Sequence, residues 1–132
     1  MLNIEFISTT DPERAATVFH RDGFVALADV LTPDQLAFAQ DGAARIVAEQ
    51  MAAVPLKEAN RGFARYSFGN QIHHPEWTQL IDLPTILPVL EAIWRVEDFV
   101  CSGAGGDYST PSAKIQSLHS DMGDVLNDPL GQ

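Results

Sequence analysis

The sequence predicts a single α+β domain in which helices come first and strands follow. Helix-capping residues and apolar positions spaced three and four apart mark the part before residue 95, whereas short apolar segments bounded by Gly and Pro follow it. This order is typical of α+β proteins rather than of alternating α/β proteins. The length of 132 residues is that of one domain. We therefore expect residues 1–132 to form one domain, mainly helical over 1–95 and built of strands over 96–132.

The two longest helices are predicted from the residues at their ends. Asp11 suits the N-cap of a helix over 12–22, because it is followed directly by Pro, which is favoured at the first helical position. Thr32 and Gln35 have the spacing of a capping box. The helix that they begin is expected to cover residues 33–53, since a proline shortly afterwards enforces its end.

The remaining segments are predicted from turn residues and from apolar runs. Residues 24–31 are expected to be extended. A further helix is expected to begin within residues 82–85, where Asp and Pro precede an apolar stretch. Residues 99–102 and 114–119 are expected to form strands. Residues 57–78 are mixed in character and interrupted by glycines, so we expect a loop there.

Composition and charge exclude several classes of protein. Eighteen acidic residues against eight basic ones give a net charge of −10, which opposes binding to nucleic acid and to anionic membranes. No apolar run approaches the roughly 20 residues that a membrane-spanning helix needs. The first residues lack the features of a secretory signal, and Cys101 is the single cysteine. These features favour a protein of the reducing cytoplasm.

The pair His119 and Asp121 is the most informative pattern in the sequence. Residues two apart on a strand point to the same side, so the imidazole and the carboxylate would project together. In non-haem oxygenases, Fe(II) is held by a facial triad of two histidines and one carboxylate. His119 and Asp121 would supply two of these three ligands. Taken alone, the tripeptide is better explained as a solvent-facing pair at the end of a strand. The surrounding sequence changes that interpretation.

The order of motifs along the chain resembles the amino-terminal half of the phytanoyl-CoA dioxygenase family. The segment FHRDGFV at 19–25, the segment LTPDQL at 31–36 and the helical stretch at 82–94 follow that family's order. A Gly-rich segment at 103–106 and QSLHSD at 116–121 complete the series. The resemblance covers almost the whole chain.

The resemblance implies a double-stranded β-helix, or jelly roll, that is incomplete in this chain. It further implies an enzyme that uses Fe(II), 2-oxoglutarate and O2 to hydroxylate a small organic molecule. His119 and Asp121 match the family's first two metal ligands. Gln116 matches the position that faces the co-substrate in many members. The first barrel strands would then lie within residues 96–132.

By the same resemblance, three residues lie in a loop near the mouth of the barrel and are expected to contact substrate. These residues are Arg65, Tyr66 and Asn70. Ordinary hydrogen bonding within a surface loop is an equally good explanation of all three. The net charge favours a neutral or cationic substrate slightly over a polyanionic one.

The sequence departs from the family pattern after Asp121, because no His and no Arg follows it. The family's third ligand and the arginine that anchors 2-oxoglutarate are therefore missing from these residues. His73 and His74 stand in the wrong chain order and are better explained as an exposed loop. We expect the amino-terminal part of a longer domain, completed by a carboxy-terminal segment or a second chain. The alternatives are a non-catalytic remnant and a cupin-like metal-binding module without 2-oxoglutarate chemistry.

Other conspicuous residues have structural explanations. Trp77 and Trp94 are expected to be anchors in or near the core. Cys101 is expected to be a small buried hydrophobic residue, because no basic residue is placed beside it to activate a thiolate. The glycines of 103–106 lack the spacing of a phosphate loop and favour tight packing or a bulge in a strand.

Overall fold

Four helices, one short 3-10 helix and four strands follow one another in residues 4–119, the part of the chain that the computed structural model describes. In chain order they are β1 (Phe6–Ser8), α1 (Pro12–Asp22), β2 (Ala26–Ala28), α2 (Pro33–Ala53), a 3-10 helix (Leu56–Glu58), β3 (Arg65–Asn70), α3 (Pro75–Thr78), α4 (Leu87–Trp94) and β4 (Gly105–Ser109). This mixture confirms the α+β class. The strands form two small sheets, neither of which closes within the described residues.

The predicted ends of α1 and α2 are confirmed in atomic detail. The Asp11 carboxylate accepts a hydrogen bond from the Arg14 backbone N–H at 3.1 Å, which satisfies a donor that the helix leaves unpaired. Gly23 ends α1 in the left-handed conformation, with φ of 79°. At the start of α2, Thr32 and Gln35 form both hydrogen bonds of the capping box, at 3.2 and 2.9 Å.

The core lies where α1 packs against α4. Ala15 and Val18 of α1 are buried together with Val89 and Ile93 of α4, and Ile7 of β1 joins them. The small Ala side chains let the two helices approach closely, and burial of the larger apolar side chains supplies the free energy. Strands β1 and β2 pair in parallel, as they can because α1 forms the crossover between them.

The second sheet joins β3 to β4 in antiparallel fashion. Tyr66 pairs with Tyr108 in the register, and their rings stack at 4.9 Å between centroids. The Tyr66 hydroxyl donates a hydrogen bond to the backbone carbonyl of Val54 at 2.9 Å, which ties the sheet to the end of α2. Burial, and then the neighbouring Tyr66, raise the pKa of Tyr108.

Several predicted elements after residue 56 were wrong. Residues 57–78 were expected to be a loop but contain β3 and α3. Residues 99–102 and 114–119 were expected to be strands but have no regular secondary structure. The strand lies instead at 105–109, because pairing there is decided by close backbone contact with β3 rather than by apolar side chains.

The apolar side chains from which those two strands were predicted are largely exposed to solvent. Val100 is 90% exposed and Ile115 is 98% exposed. Within the stretch that the structure describes, neither side chain reaches a core, and an apolar run without a buried face gives no strand signal of its own. The helix expected to begin within residues 82–85 starts slightly later, at Leu87.

The contact between α2 and α3 includes a part-buried ion pair. The Arg45 Nη2 atom lies 2.6 Å from Glu76 Oε1. Gly42 leaves the space for this carboxylate side chain, since a Cβ atom at residue 42 would come within 2.5 Å of Glu76 Cγ. The hydrogen bond from Arg45 holds the pKa of Glu76 below its usual value, and a backbone hydrogen bond adds to the effect.

This ion pair predicts a specific response to acid. Because the folded-state pKa of Glu76 is lowered, its contribution to stability is complete above the unfolded pKa, about 4.3, and is lost as pH falls through the folded value. We expect Glu76→Gln to lower the urea midpoint at pH 7, and the gap between variant and wild type to narrow at pH 3. The control is Glu97→Gln, at an exposed position, for which we expect no such gap. A gap for Glu76→Gln that stays constant with pH would contradict the assignment.

Among residues 4–119, no helix is long and apolar enough to cross a membrane.

Candidate functional site

His119 ends the described part of the chain and is exposed there. Its Nδ1 atom lies 2.7 Å from the backbone carbonyl oxygen of Ser117. A carbonyl only accepts hydrogen bonds, so Nδ1 is the donor in this contact, and in the neutral imidazole the lone pair that a metal ion requires is then on Nε2. Metal-binding histidines commonly have this arrangement, with one nitrogen donating to a carbonyl and the other facing the metal.

A polar pocket of about 500 Å³ brings His119 together with Gln116. Arg61 and Asp107 complete its described lining, with the Arg61 Nε atom 3.9 Å from Asp107 Oδ2. Asp107 comes from β4 and Arg61 from the turn before β3, so the second sheet positions these charges. His119, one of the two predicted metal ligands, and Gln116, which is predicted to face the co-substrate, both line this pocket.

The donors in this pocket fit an iron site in part. The Nδ1 contact of His119 with the Ser117 carbonyl is compatible with metal binding through Nε2, and imidazole is a suitable ligand for iron. Asp121 lies outside the described residues. Within residues 4–119 no three His, Cys, Asp or Glu side chains are grouped so as to hold a metal ion. The strand expected at 114–119 is not formed, so the argument that His119 and Asp121 share one side of a strand loses its support at residue 119.

The three predicted substrate residues lie on β3 rather than in a loop. Tyr66 is 1% exposed and its hydroxyl is hydrogen bonded, so this residue stabilises the β3–β4 sheet. Arg65 reaches Ser109 across the sheet at 3.4 Å. The Asn70 side-chain oxygen accepts hydrogen bonds from two backbone N–H groups, those of Ile72 and Ala104. None of the three belongs to the described lining of the polar pocket.

A second pocket, of about 680 Å³ and mainly apolar, was not predicted from the sequence. It lies between α4, the residues after α3 and the segment that leads into β4. Trp77 and Trp94 both line it, together with Phe99 and Cys101. Trp77 is buried as predicted, at 8% exposure, but Trp94 is 52% exposed and the expectation of a core anchor was wrong. Cys101 was expected to be buried and is exposed.

The sequence of α4 contains the apolar pattern from which this pocket could have been predicted. Val89 and Ile93 face the core, yet Leu87, Leu90 and Trp94 are also apolar and line the pocket on the other side. A helix that is apolar all round is usually buried all round. Because only one face of α4 packs against the core, the apolar residues of its second face are left to line the pocket.

The two pockets each include a residue of β4. Gly105 lines the apolar pocket and Asp107 lines the polar one. Residues two apart on a strand share a face and lie about 7 Å apart. Strand β4 therefore contributes a residue to the apolar pocket and another to the pocket that contains His119.

Comparison with family models, with curated proteins and with solved structures gave no match to this chain.

Proposed function

We propose that this chain is part of a non-haem Fe(II)/2-oxoglutarate-dependent dioxygenase that hydroxylates a small organic molecule. The observation that carries the proposal is the pocket shared by His119 and Gln116, in which His119 donates from Nδ1 to the Ser117 carbonyl, as many metal-binding histidines do. The ordered series of motifs that resembles the phytanoyl-CoA dioxygenase family supports it. In this proposal His119 and Asp121 hold the metal.

The proposed roles of the residues follow from their chemistry. Fe(II) with 2-oxoglutarate and O2 would supply the oxidising power for attack on a C–H bond, while the protein orients and shields the reactants. The Gln116 carboxamide can hydrogen bond to the co-substrate, and the His119 Nε2 atom can bind the metal. The proposal requires a third ligand besides His119 and Asp121. The β3–β4 pair is the proposed start of a jelly roll, and the cytoplasm is the proposed location.

A cupin-like or non-catalytic metal-binding module is the second candidate. It is favoured by one observation, namely that within residues 4–119 no three His, Cys, Asp or Glu side chains are grouped so as to hold a metal ion. The two candidates differ in their response to 2-oxoglutarate. In the dioxygenase the co-substrate binds to the metal, so each must raise the affinity of the other. In the other module, metal binding is indifferent to 2-oxoglutarate.

Anaerobic titration with Fe(II) tests the proposal. We expect His119→Ala to weaken Fe(II) binding by at least about tenfold, because it removes a metal ligand. His73→Ala is the matched control, since it removes an exposed histidine elsewhere and should leave the affinity unchanged. We expect 2-oxoglutarate to tighten Fe(II) binding in wild type. With two ligands from this chain, the visible absorption of the Fe(II)–2-oxoglutarate complex should be weak or absent.

Two results would contradict the proposal. Equal Fe(II) affinity in wild type and His119→Ala would remove the metal site. Fe(II) affinity that depends on His119 but ignores 2-oxoglutarate would favour the cupin-like module.

A further inference from the structure

The apolar pocket has the size and the lining of a small-molecule site. Sites for small ligands usually enclose about 300–1,000 Å³ and combine apolar and aromatic walls with few polar groups. Here the volume is about 680 Å³ and the aromatic walls are Trp77, Trp94 and Phe99. The Trp94 and Phe99 rings meet edge to face at 5.2 Å, which fixes one wall of the pocket.

The charge at this pocket has one sign. Asp82 is the one charged side chain among the described residues that line it, and it is exposed at the rim. No lysine or arginine of residues 4–119 lines the pocket to balance that carboxylate. The net charge of −10 adds a negative field around the whole molecule. Both features favour a cation and oppose an anion.

From these observations we propose that the pocket binds a small molecule that joins an apolar, aromatic body to an ammonium group. The body lies against Leu87, Leu90 and Trp94 of α4, and the ammonium group meets the Asp82 carboxylate. Tryptophan faces add an attraction for a cation held beside them. The site itself needs no metal.

The position of the pocket gives the molecule a role. Because β4 contributes a residue to this pocket and another to the one that contains His119, the bound amine would be the substrate. This last step alone rests on the proposed dioxygenase function.

Cys101 provides a direct test, since it is the single cysteine and lines the pocket. Its modification by the neutral reagent 4,4′-dithiodipyridine is followed in metal-free buffer with EDTA. We expect 2-(1-naphthyl)ethylamine to slow the reaction in wild type. We expect its affinity to exceed that of 1-naphthylacetate by about tenfold at low salt, from one ion pair and one cation–π contact.

Matched variants assign the two parts of the site. Trp94→Ala should weaken amine binding by about tenfold, whereas Phe38→Ala, at an exposed aromatic of α2, should not. Asp82→Asn should bind amine and acid about equally, whereas the exposed-site control Asp41→Asn should keep the preference. Calorimetry on Cys101→Ser gives the affinity without the labelled thiol, and circular dichroism verifies that each variant is folded.

The inference fails if neither compound protects Cys101, or if the preference for the amine survives in Asp82→Asn. It also fails if Cys101 in the free protein becomes more reactive on dilution, since a second copy of the chain would then cover the pocket. His119→Ala should bind the amine as wild type does. The amine site and the metal site can therefore fail separately.

Discussion

Tyr66→Ala should lower the free energy of unfolding by about 3–5 kcal/mol, the range for removal of a large buried aromatic side chain. Tyr66 is almost fully buried, and its ring stacks on Tyr108. Its hydroxyl also satisfies the carbonyl of Val54 at the end of α2. Tyr66→Phe keeps the ring and loses that hydrogen bond alone, so it should cost about 1 kcal/mol. Urea unfolding followed by circular dichroism measures both.

The same pair of variants tests the expectation that Tyr66 binds substrate. A structural role predicts that Tyr66→Phe keeps Fe(II) and amine affinities unchanged while it loses stability. If Tyr66→Phe instead keeps its stability and loses affinity for either ligand, the buried position described for this hydroxyl is wrong.

Gly105→Ala should cost about 2–4 kcal/mol, more than most substitutions, because a new side chain would collide with backbone. An ideal Cβ at residue 105 would lie 2.0 Å from the carbonyl oxygen of Gly69. This contact falls at the bulge of the β3–β4 sheet, where Gly69 has φ of 68°. Neither backbone can move away without opening the sheet.

Gly103→Ala is the control for that experiment. A Cβ at residue 103 would lie 3.5 Å from its nearest neighbour, the side-chain nitrogen of Asn70, which is ordinary contact. The change should stay within about 0.5 kcal/mol of wild type. Equal losses in Gly103→Ala and Gly105→Ala would show that general flexibility, rather than the contact with Gly69, sets the cost.

The helices α1 and α2 could be predicted because their signals are local. Asp11, Thr32 and Gln35 each act within three residues of their partners, so the sequence alone contains both sides of every hydrogen bond. The β3–β4 pair could not be predicted in this way. Arg65 and Ser109 are in contact although 44 residues separate them in the sequence. The register depends on Gly69 and Gly105, which contribute nothing to a hydrophobic pattern.

The candidate site was predicted in part for the same reason. Gln116 and His119 are close in the chain and do share a pocket, but Arg61 and Asp107 reach that pocket through the sheet. The apolar pocket was missed because apolar residues on α4 predict a core equally well. Only the tertiary structure shows which face of α4 packs against α1 and leaves Trp94 outside.

The pairing of α1 with α4 also sets when this chain can fold during synthesis. His20 and the carbonyl of Ile93 are hydrogen bonded across 73 residues, and the core forms between the same two helices. At roughly 5–20 residues per second, a ribosome needs about 4–15 s to make that intervening stretch. Throughout that time the apolar face of α1 cannot pack against α4 as it does in the folded protein. Nascent chains should therefore depend on chaperone binding, or risk self-association, until the fourth helix emerges.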